Sequence, residues 1–99
     1  MILRRDRFAH LVRRQLDLFE EDEAGLLREA EEALERYNAA EREEAEELYG
    51  DYVLVLDAIA DALDELRDTY ARTLDDGAAD AYTASFDRAA RKRFPSVPR

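Results

Sequence analysis

Apolar residues recur every three or four positions along most of the chain, which is the spacing that places them on one face of an α-helix. The first such segment runs from about Leu3 to Phe19, with Phe8 and Val12 on its inner face. Gln15 falls on the same face, where an apolar side chain is the usual occupant. The pattern therefore predicts an amphipathic first helix that carries one polar residue on its inner side.

A second helical segment follows an acidic stretch at residues 20–23. A glycine just beyond this stretch disfavours an uninterrupted helix, and Asp22 is suited to cap a new one. The apolar phase nevertheless continues to Tyr37, which leaves a single kinked helix over residues 3–37 as the alternative. We predict a break near residues 20–23 and a second joint at residues 38–40.

The strongest pattern lies between residues 41 and 75, where apolar residues follow in alternating steps of three and four. This is the heptad spacing of a helix that packs along its length against another helix. Such a helix is roughly 50 Å long, whereas a compact domain of this size is about 26 Å across. It therefore has to project from the domain or be covered by a second chain. The heptad residues are Tyr49, Tyr52, Leu56, Ile59, Leu63, Leu66 and Tyr70.

The turn at residues 75–77 is predicted to end the long helix, because its glycine suits a helix C-terminus and its aspartates can cap the next helix. The last helix is predicted over about residues 78–93 and is stopped by Pro95. We accordingly expect one helical domain over residues 1–94 and a short flexible tail at residues 95–99.

The composition supports an all-helical fold, because three glycines and two prolines among 99 residues leave little material for tight turns. We predict an all-α protein in which three or four antiparallel helices surround the long helix, as a helical bundle or a helical hairpin. A single core of this size gives little net stability. We therefore expect a homodimer built on the seven heptad residues.

The run of five apolar residues at 52–56 covers every side of the long helix. Leu54 points about 160–200° away from the heptad residues, among acidic side chains. An apolar residue in that position is either enclosed by other helices or belongs to an exposed surface used for association. We expect Leu54 to be an accessory contact of the dimer.

Charge is distributed unevenly along the chain, whose formal net charge is -10. Residues 17–47 carry fourteen acids and three arginines, whereas residues 88–99 carry five basic residues and no acid. We expect the basic ends to pack beside the acidic centre, within one chain or across the dimer. The acidic surface suits a basic protein partner and argues against general nucleic-acid binding. The residues for a weaker, nucleic-acid alternative are Arg88, Arg91, Lys92 and Arg93.

No residue pattern typical of catalysis occurs in the sequence. There is no cysteine and no glycine-rich phosphate loop, and the serines and threonines lie in no nucleophile motif. His10 follows Asp6 by one helical turn but has no nucleophile beside it. We therefore predict a non-enzymatic protein without a cofactor, which acts as a homo-oligomerising protein–protein interaction module.

A helical bundle that binds a small ligand or a divalent metal between its helices is the alternative. Tyrosines on the inner faces would line a cavity, or acids near the start of the long helix would hold the ion. The residues concerned are Tyr37, Tyr49, Tyr52 and Tyr82 for a ligand, and Glu44, Glu47 and Asp51 for a metal.

The sequence also bears on location. No segment approaches the run of about 20 apolar residues that a membrane span needs. The first residues do not resemble an export signal, and the chain has no cysteine. We expect a cytoplasmic protein with no membrane partner.

Overall fold

The computed structural model describes residues 6–99, which form four α-helices and, within that range, no strand. The all-α prediction is confirmed, and so is the break near residues 20–23. The break falls at Glu23, whose φ of -108° and ψ of 25° separate two helices. Residues 1–5, where the predicted first helix begins, lie outside the described part. The helices are α1 (Ala9–Asp22), α2 (Ala24–Asn38), α3 (Ala45–Ala71) and α4 (Asp76–Arg93).

The C-terminal half of α3 forms a three-helix bundle with α1 and α4. Helix α4 runs antiparallel to α3. The ring of Tyr82, in the first half of α4, lies 4.8 Å from the ring of Tyr70 near the end of α3. Helix α1 runs parallel to α4. The ring of Phe8 contacts Tyr82 at 5.6 Å, and that of Phe19 contacts Phe94 at 5.7 Å, one pair at each end.

The N-terminal half of α3 forms an antiparallel hairpin with α2. The rings of Tyr37, at the end of α2, and Tyr49, near the start of α3, lie 5.2 Å apart. Earlier in α2, Leu27 lines the same cleft as Ile59. Helices α1 and α2 thus follow one another along α3, and α3 is the common element of both parts of the fold.

The core lies where the three helices of the bundle meet. It contains buried residues of α1, α3 and α4, together with Val97 beyond α4. The one polar side chain among the inner positions of α1, Gln15, accepts a hydrogen bond from the Tyr82 hydroxyl at 2.8 Å. The buried hydrophobic residues of this core are Val12, Leu16, Phe19, Ile59, Leu63, Tyr82, Phe86, Ala90 and Val97.

Two predicted helix starts are too early. Helix α1 begins at Ala9 because the Asp6 carboxylate accepts the Phe8 N–H at 3.0 Å, which holds this segment in a turn. Helix α3 begins at Ala45, four residues later than predicted. The intervening residues 41–44 are mostly glutamates that have no apolar side chain to bury, so packing does not stabilise a helix there.

The long helix also ends earlier than predicted, at Ala71. The Thr73 hydroxyl donates to the Tyr70 carbonyl at 2.7 Å and helps to form the turn that follows. Gly77 does not serve as the predicted helix C-terminus but lies in the first turn of α4. The capping prediction holds for Asp75, whose Oδ1 accepts the Ala78 N–H at 2.9 Å.

The last five residues, for which the sequence predicts a flexible tail, pack against the bundle. Val97 is buried in the core. The Arg99 side chain is only 3% exposed and reaches Asp64 of α3 and Asp87 of α4. Val97 lines a cleft with residues of α2 and α3, and Arg99 pairs with acids of α3 and α4, so the segment closes one side of the bundle.

Leu63→Ala should lower the free energy of unfolding by about 2–5 kcal/mol, because it leaves a cavity where a fully buried side chain meets the core. Urea denaturation followed by far-UV circular dichroism measures this change. Leu18→Ala is the matched control, since Leu18 is 53% exposed, and it should change stability by less than about 1 kcal/mol. Equal losses in the two variants would contradict the described core.

Candidate interaction surface

The helices of this protein differ in length, and the difference leaves part of α3 uncovered. Helix α3 has 27 residues and α4 has 18, which correspond to about 40 Å and about 27 Å. Helix α4 ends beside the middle of α3, where Phe94 and Ile59 line the same cleft. Beyond that level α2 is the only one of the described helices that packs against α3. The molecule is accordingly elongated, with extents of 54 × 31 × 21 Å.

The first exposed apolar surface of this hairpin lies on α3. Tyr49, Gly50, Val53 and Leu54 share one face of the helix, at positions i, i+1, i+4 and i+5; we call them the outer patch. Leu54 is 69% exposed and Tyr49 is 51% exposed. A Cβ atom at Gly50 would meet nothing within 4 Å. The outer patch is therefore an open apolar surface with a gap at its centre.

The second exposed apolar surface is a groove between α2 and α3. Leu27, Ala30 and Leu34 form its α2 side, and Tyr52 and Leu56 form its α3 side; we call it the hairpin groove. Its volume is about 410 Å³, and residues 94–97 close one end. Leu34 is 37% exposed. The groove therefore continues the line of α4 beyond the point where α4 stops.

The tyrosines expected to line a ligand cavity do not come together. Tyr37, Tyr49 and Tyr52 form a chain of ring contacts at the end of the hairpin, with the second pair of ring centroids 6.5 Å apart. Tyr82 is fully buried in the bundle core instead, in contact with Tyr70. Three of the four predicted residues thus stabilise the hairpin, and the fourth belongs to the core.

The residues predicted to form a dimer seam are divided between the core and the surface. Ile59 and Leu63 are 1% and 0% exposed, enclosed by helices of their own chain. Leu56, Leu66 and Tyr70 pack against that core and are half-buried. Tyr52 lines the hairpin groove. Tyr49 and Leu54 are the predicted residues that stay largely exposed.

The α2 side of the hairpin groove is not among the predicted site residues. The signal for it is present in the sequence, because Leu27, Ala30 and Leu34 recur at helical spacing beside the inner stripe of α2. The apolar side of α2 therefore includes residues that α3 does not cover. Their exposure depends on where α4 ends, which the sequence does not specify.

Basic residues of the C-terminal segment pair with acids of α1, α3 and α4, as the charge distribution predicts. Arg93 Nη1 donates to Asp17 Oδ1 at 2.6 Å. Arg99 Nη2 donates to Asp87 Oδ1 at 2.6 Å, and Arg99 Nη1 lies 3.0 Å from Asp64 Oδ1. Burial raises the pKa of Asp87, but hydrogen bonds from Arg99 and Arg67 outweigh it and lower the pKa below 3.8.

A second ionic contact joins the start of the described chain to α4. The Ser85 hydroxyl donates to Asp6 Oδ2 at 2.6 Å, and Arg88 Nη2 donates to the same oxygen at 3.2 Å. The hydrogen bond from Ser85 is the largest of the effects that lower the pKa of Asp6. His10 takes no part in this contact, and its Nδ1 lies 3.2 Å from Arg13 Nη2 on the exposed side of α1.

The acids at the start of α3 offer no support for the alternative metal site. Within residues 6–99, no three Asp, Glu or His side chains lie together as a bound ion would require. Glu44, Glu47 and Asp51 are exposed. The described helices also include none that combines the length and the apolar character needed to cross a membrane.

Comparison of the chain with protein-family models, with curated protein sequences and with solved structures yields no match. The features of the structure that bear on function are the two exposed apolar surfaces and the charges around them.

Asp87→Asn should lower the free energy of unfolding at pH 7 by about 1–2 kcal/mol, because it leaves Arg67 and Arg99 without their shared carboxylate. The pKa of Asp87 is lowered in the folded state. Its contribution is therefore present above the ordinary value of 3.8 and is lost as the pH falls through the folded pKa.

The difference in stability between the wild type and Asp87→Asn should accordingly shrink below about pH 4. Urea denaturation at a series of pH values measures it. Asp57→Asn is the control, since Asp57 is exposed on α3 and forms no ion pair in the described part of the chain. A pH-independent difference for Asp87→Asn would contradict the ionic role given to this residue.

Proposed function

We propose that this protein is a non-enzymatic interaction module that forms a homodimer through the outer patch of α3. The observation that carries the proposal is the exposure of Leu54, which is 69% exposed. Together with Tyr49, which is 51% exposed, Leu54 forms a contiguous exposed apolar surface of the kind that marks a protein–protein contact.

A second copy of the chain fits the outer patch for a geometric reason. Two-fold symmetry brings the same patch of each subunit together, so that the patch has to be complementary to itself. Gly50 provides space at the centre of the patch, and Tyr49, Val53 and Leu54 provide apolar area around it. Two α3 helices that cross at Gly50 would place each Leu54 beside the open position of the partner.

This arrangement keeps part of the predicted dimer and changes the rest. Tyr49 and Leu54 remain contacts in the proposed interface. Ile59 and Leu63 do not, because the helices of one chain already enclose them. The proposed interface is consequently small, and self-association should be weak and dependent on protein concentration.

Leu54→Lys should shift the protein from dimer to monomer while its helix content stays unchanged, because the introduced charge would be buried against another apolar patch. Native mass spectrometry and light scattering over a concentration series measure the assembly, and circular dichroism measures the helix content. Leu18→Lys is the matched control, because Leu18 is also an exposed leucine, 53% exposed on α1, and it should leave the dimer intact. A wild-type protein that remains monomeric at every concentration would refute the proposal.

Added salt should strengthen the dimer, because it screens the repulsion between two chains of formal charge -10 each. Sedimentation equilibrium at about 50 mM and about 500 mM salt measures the dissociation constant. We expect a lower dissociation constant at the higher salt concentration. Dissociation on addition of salt would show that ion pairs hold the chains together, and the apolar outer patch would then be the wrong interface.

A further inference from the structure

We propose that the hairpin groove binds a short amphipathic helix of another protein, with apolar residues in the groove and basic residues along its polar side. This inference goes beyond the proposed dimer and does not depend on it. Leu54 of the outer patch lies about 200° round α3 from Tyr52 of the groove. The two surfaces therefore face different sides of α3 and adjoin at the ring contact between Tyr49 and Tyr52.

The shape of the hairpin groove favours a helix as its occupant. The groove lies between two antiparallel helices and continues the line of α4, which packs against α3 as a helix. Its α2 side from Leu27 to Leu34 spans about 11 Å, or two helical turns. An amphipathic helix binds such a groove through apolar side chains at positions i, i+3, i+4 and i+7.

The net charge of the hairpin favours a basic occupant for the groove. The segment from residue 24 to residue 57, which forms the hairpin, contains eleven acids and three arginines. One of the acids, Glu31, lines the groove itself. Within residues 6–99, none of these eleven acids takes part in an ion pair. The acids that do are Asp6, Asp17, Glu20, Asp64, Asp68 and Asp87.

The protein already contains one contact of the proposed kind. Helix α4 buries Phe86 and Ala90 in the core and carries Arg91, Lys92 and Arg93 in its last turn. Arg93 reaches Asp17 of α1 at 2.6 Å. An amphipathic helix with a basic last turn thus covers α3 in the bundle half, and the groove, which Glu31 lines, is the uncovered apolar surface in the half that α4 does not reach.

The charge also argues against a second copy of this chain as the occupant. Two hairpins packed groove to groove would set two concave surfaces against each other, which cannot fill one another, and would bring together two segments that each have an excess of eight negative charges. Such like-charged surfaces repel each other, and basic surfaces are attracted to them. The partner is therefore a different protein with a basic helical segment.

The first experiment is a binding titration with a defined probe. The probe is a fluorescein-labelled helical peptide of about 14 residues, with leucines at i, i+3, i+4 and i+7 and lysines on its polar side. Fluorescence anisotropy with the full chain at about 150 mM salt measures its affinity. We expect saturable binding, at least about tenfold tighter than for the same peptide with glutamate in place of lysine. Equal affinity for the two peptides would overturn the proposal.

A pair of leucine variants locates the binding site. Leu34→Lys should weaken the lysine peptide by at least about tenfold, because it places a positive charge in the apolar groove. The long aliphatic part of lysine can remain on the half-exposed position, so that the fold is retained; circular dichroism checks this. Leu18→Lys adds the same charge on α1, outside the groove, and should leave the affinity nearly unchanged. Equal weakening by both variants would overturn the proposal.

A pair of charge variants separates the groove from the general negative charge of the chain. Glu31 and Glu29 are both exposed on α2, but only Glu31 lines the groove, about 200° away from Glu29. Glu31→Arg should weaken the lysine peptide several-fold more than Glu29→Arg. Equal effects would mean that the peptide binds by net charge alone, and the groove would not be its site.

The state of assembly distinguishes this inference from the proposed dimer. Leu34→Lys should weaken peptide binding and leave the dimer intact, whereas Leu54→Lys should dissociate the dimer and leave peptide binding nearly unchanged. Added salt should weaken the peptide complex, in contrast to its effect on the dimer. If Leu34→Lys instead converts a dimer into a monomer, a second copy occupies the groove, and the inference is wrong.

Discussion

The length of α3 relative to its neighbours is the constraint on which the rest of this structure depends. A helix of 27 residues cannot be covered by an α1 of 14 residues or an α4 of 18 residues. The break at Glu23 allows one side of α3 to be covered along its length, because α1 and α2 follow one another along it. On its other side, the part of the chain that covers α3 within residues 6–99 is α4 with the segment around Val97. One half of the protein is therefore a closed bundle, and the other half is a two-helix hairpin with apolar residues in excess of what it can bury.

Tyr82 determines how the closed half is assembled. Its ring contacts Phe8 of the segment before α1, Tyr70 of α3 and Phe86 of α4, and its hydroxyl bonds to Gln15. Burial raises the pKa of this tyrosine to about 12, although the hydrogen bond to Gln15 opposes the rise. A buried hydroxyl needs a partner, and Gln15 at an otherwise apolar position supplies it. The hydrogen bond thus favours one register of α1 on α4.

The distribution of charge follows the same division into two halves. In the bundle, Arg67, Arg93 and Arg99 pair with acids on neighbouring helices, so that the basic residues of the chain stabilise its own core region. The hairpin retains most of the acids without such partners. The part of the molecule with unburied apolar surface is therefore also the part with the greatest excess of negative charge. This coincidence is the basis for assigning the hairpin groove to a basic helix.

The sequence by itself determined the elements of this protein. The spacing of apolar residues predicted the helices and the joints between them. Each helix has to bury one side, and the residues on that side are apolar and recur every three or four positions. The direction of Leu54, opposite the heptad residues, followed from the same geometry, whereas its exposure depends on the absence of a covering helix among the described residues. The exact ends of α1 and α3 did not follow from the spacing, since they depend on Asp6, Ser85 and Thr73 finding partners in the folded chain. Only the tertiary structure decided which apolar residues are enclosed by the same chain. The heptad pattern of α3 predicts that Ile59 and Leu63 are covered but does not specify whether α1 and α4 or a second copy covers them. The spacing of apolar residues identifies the buried side of one helix at a time. Which residues of α3 remain uncovered depends on where α4 ends beside α3, and that is decided only when the helices pack together.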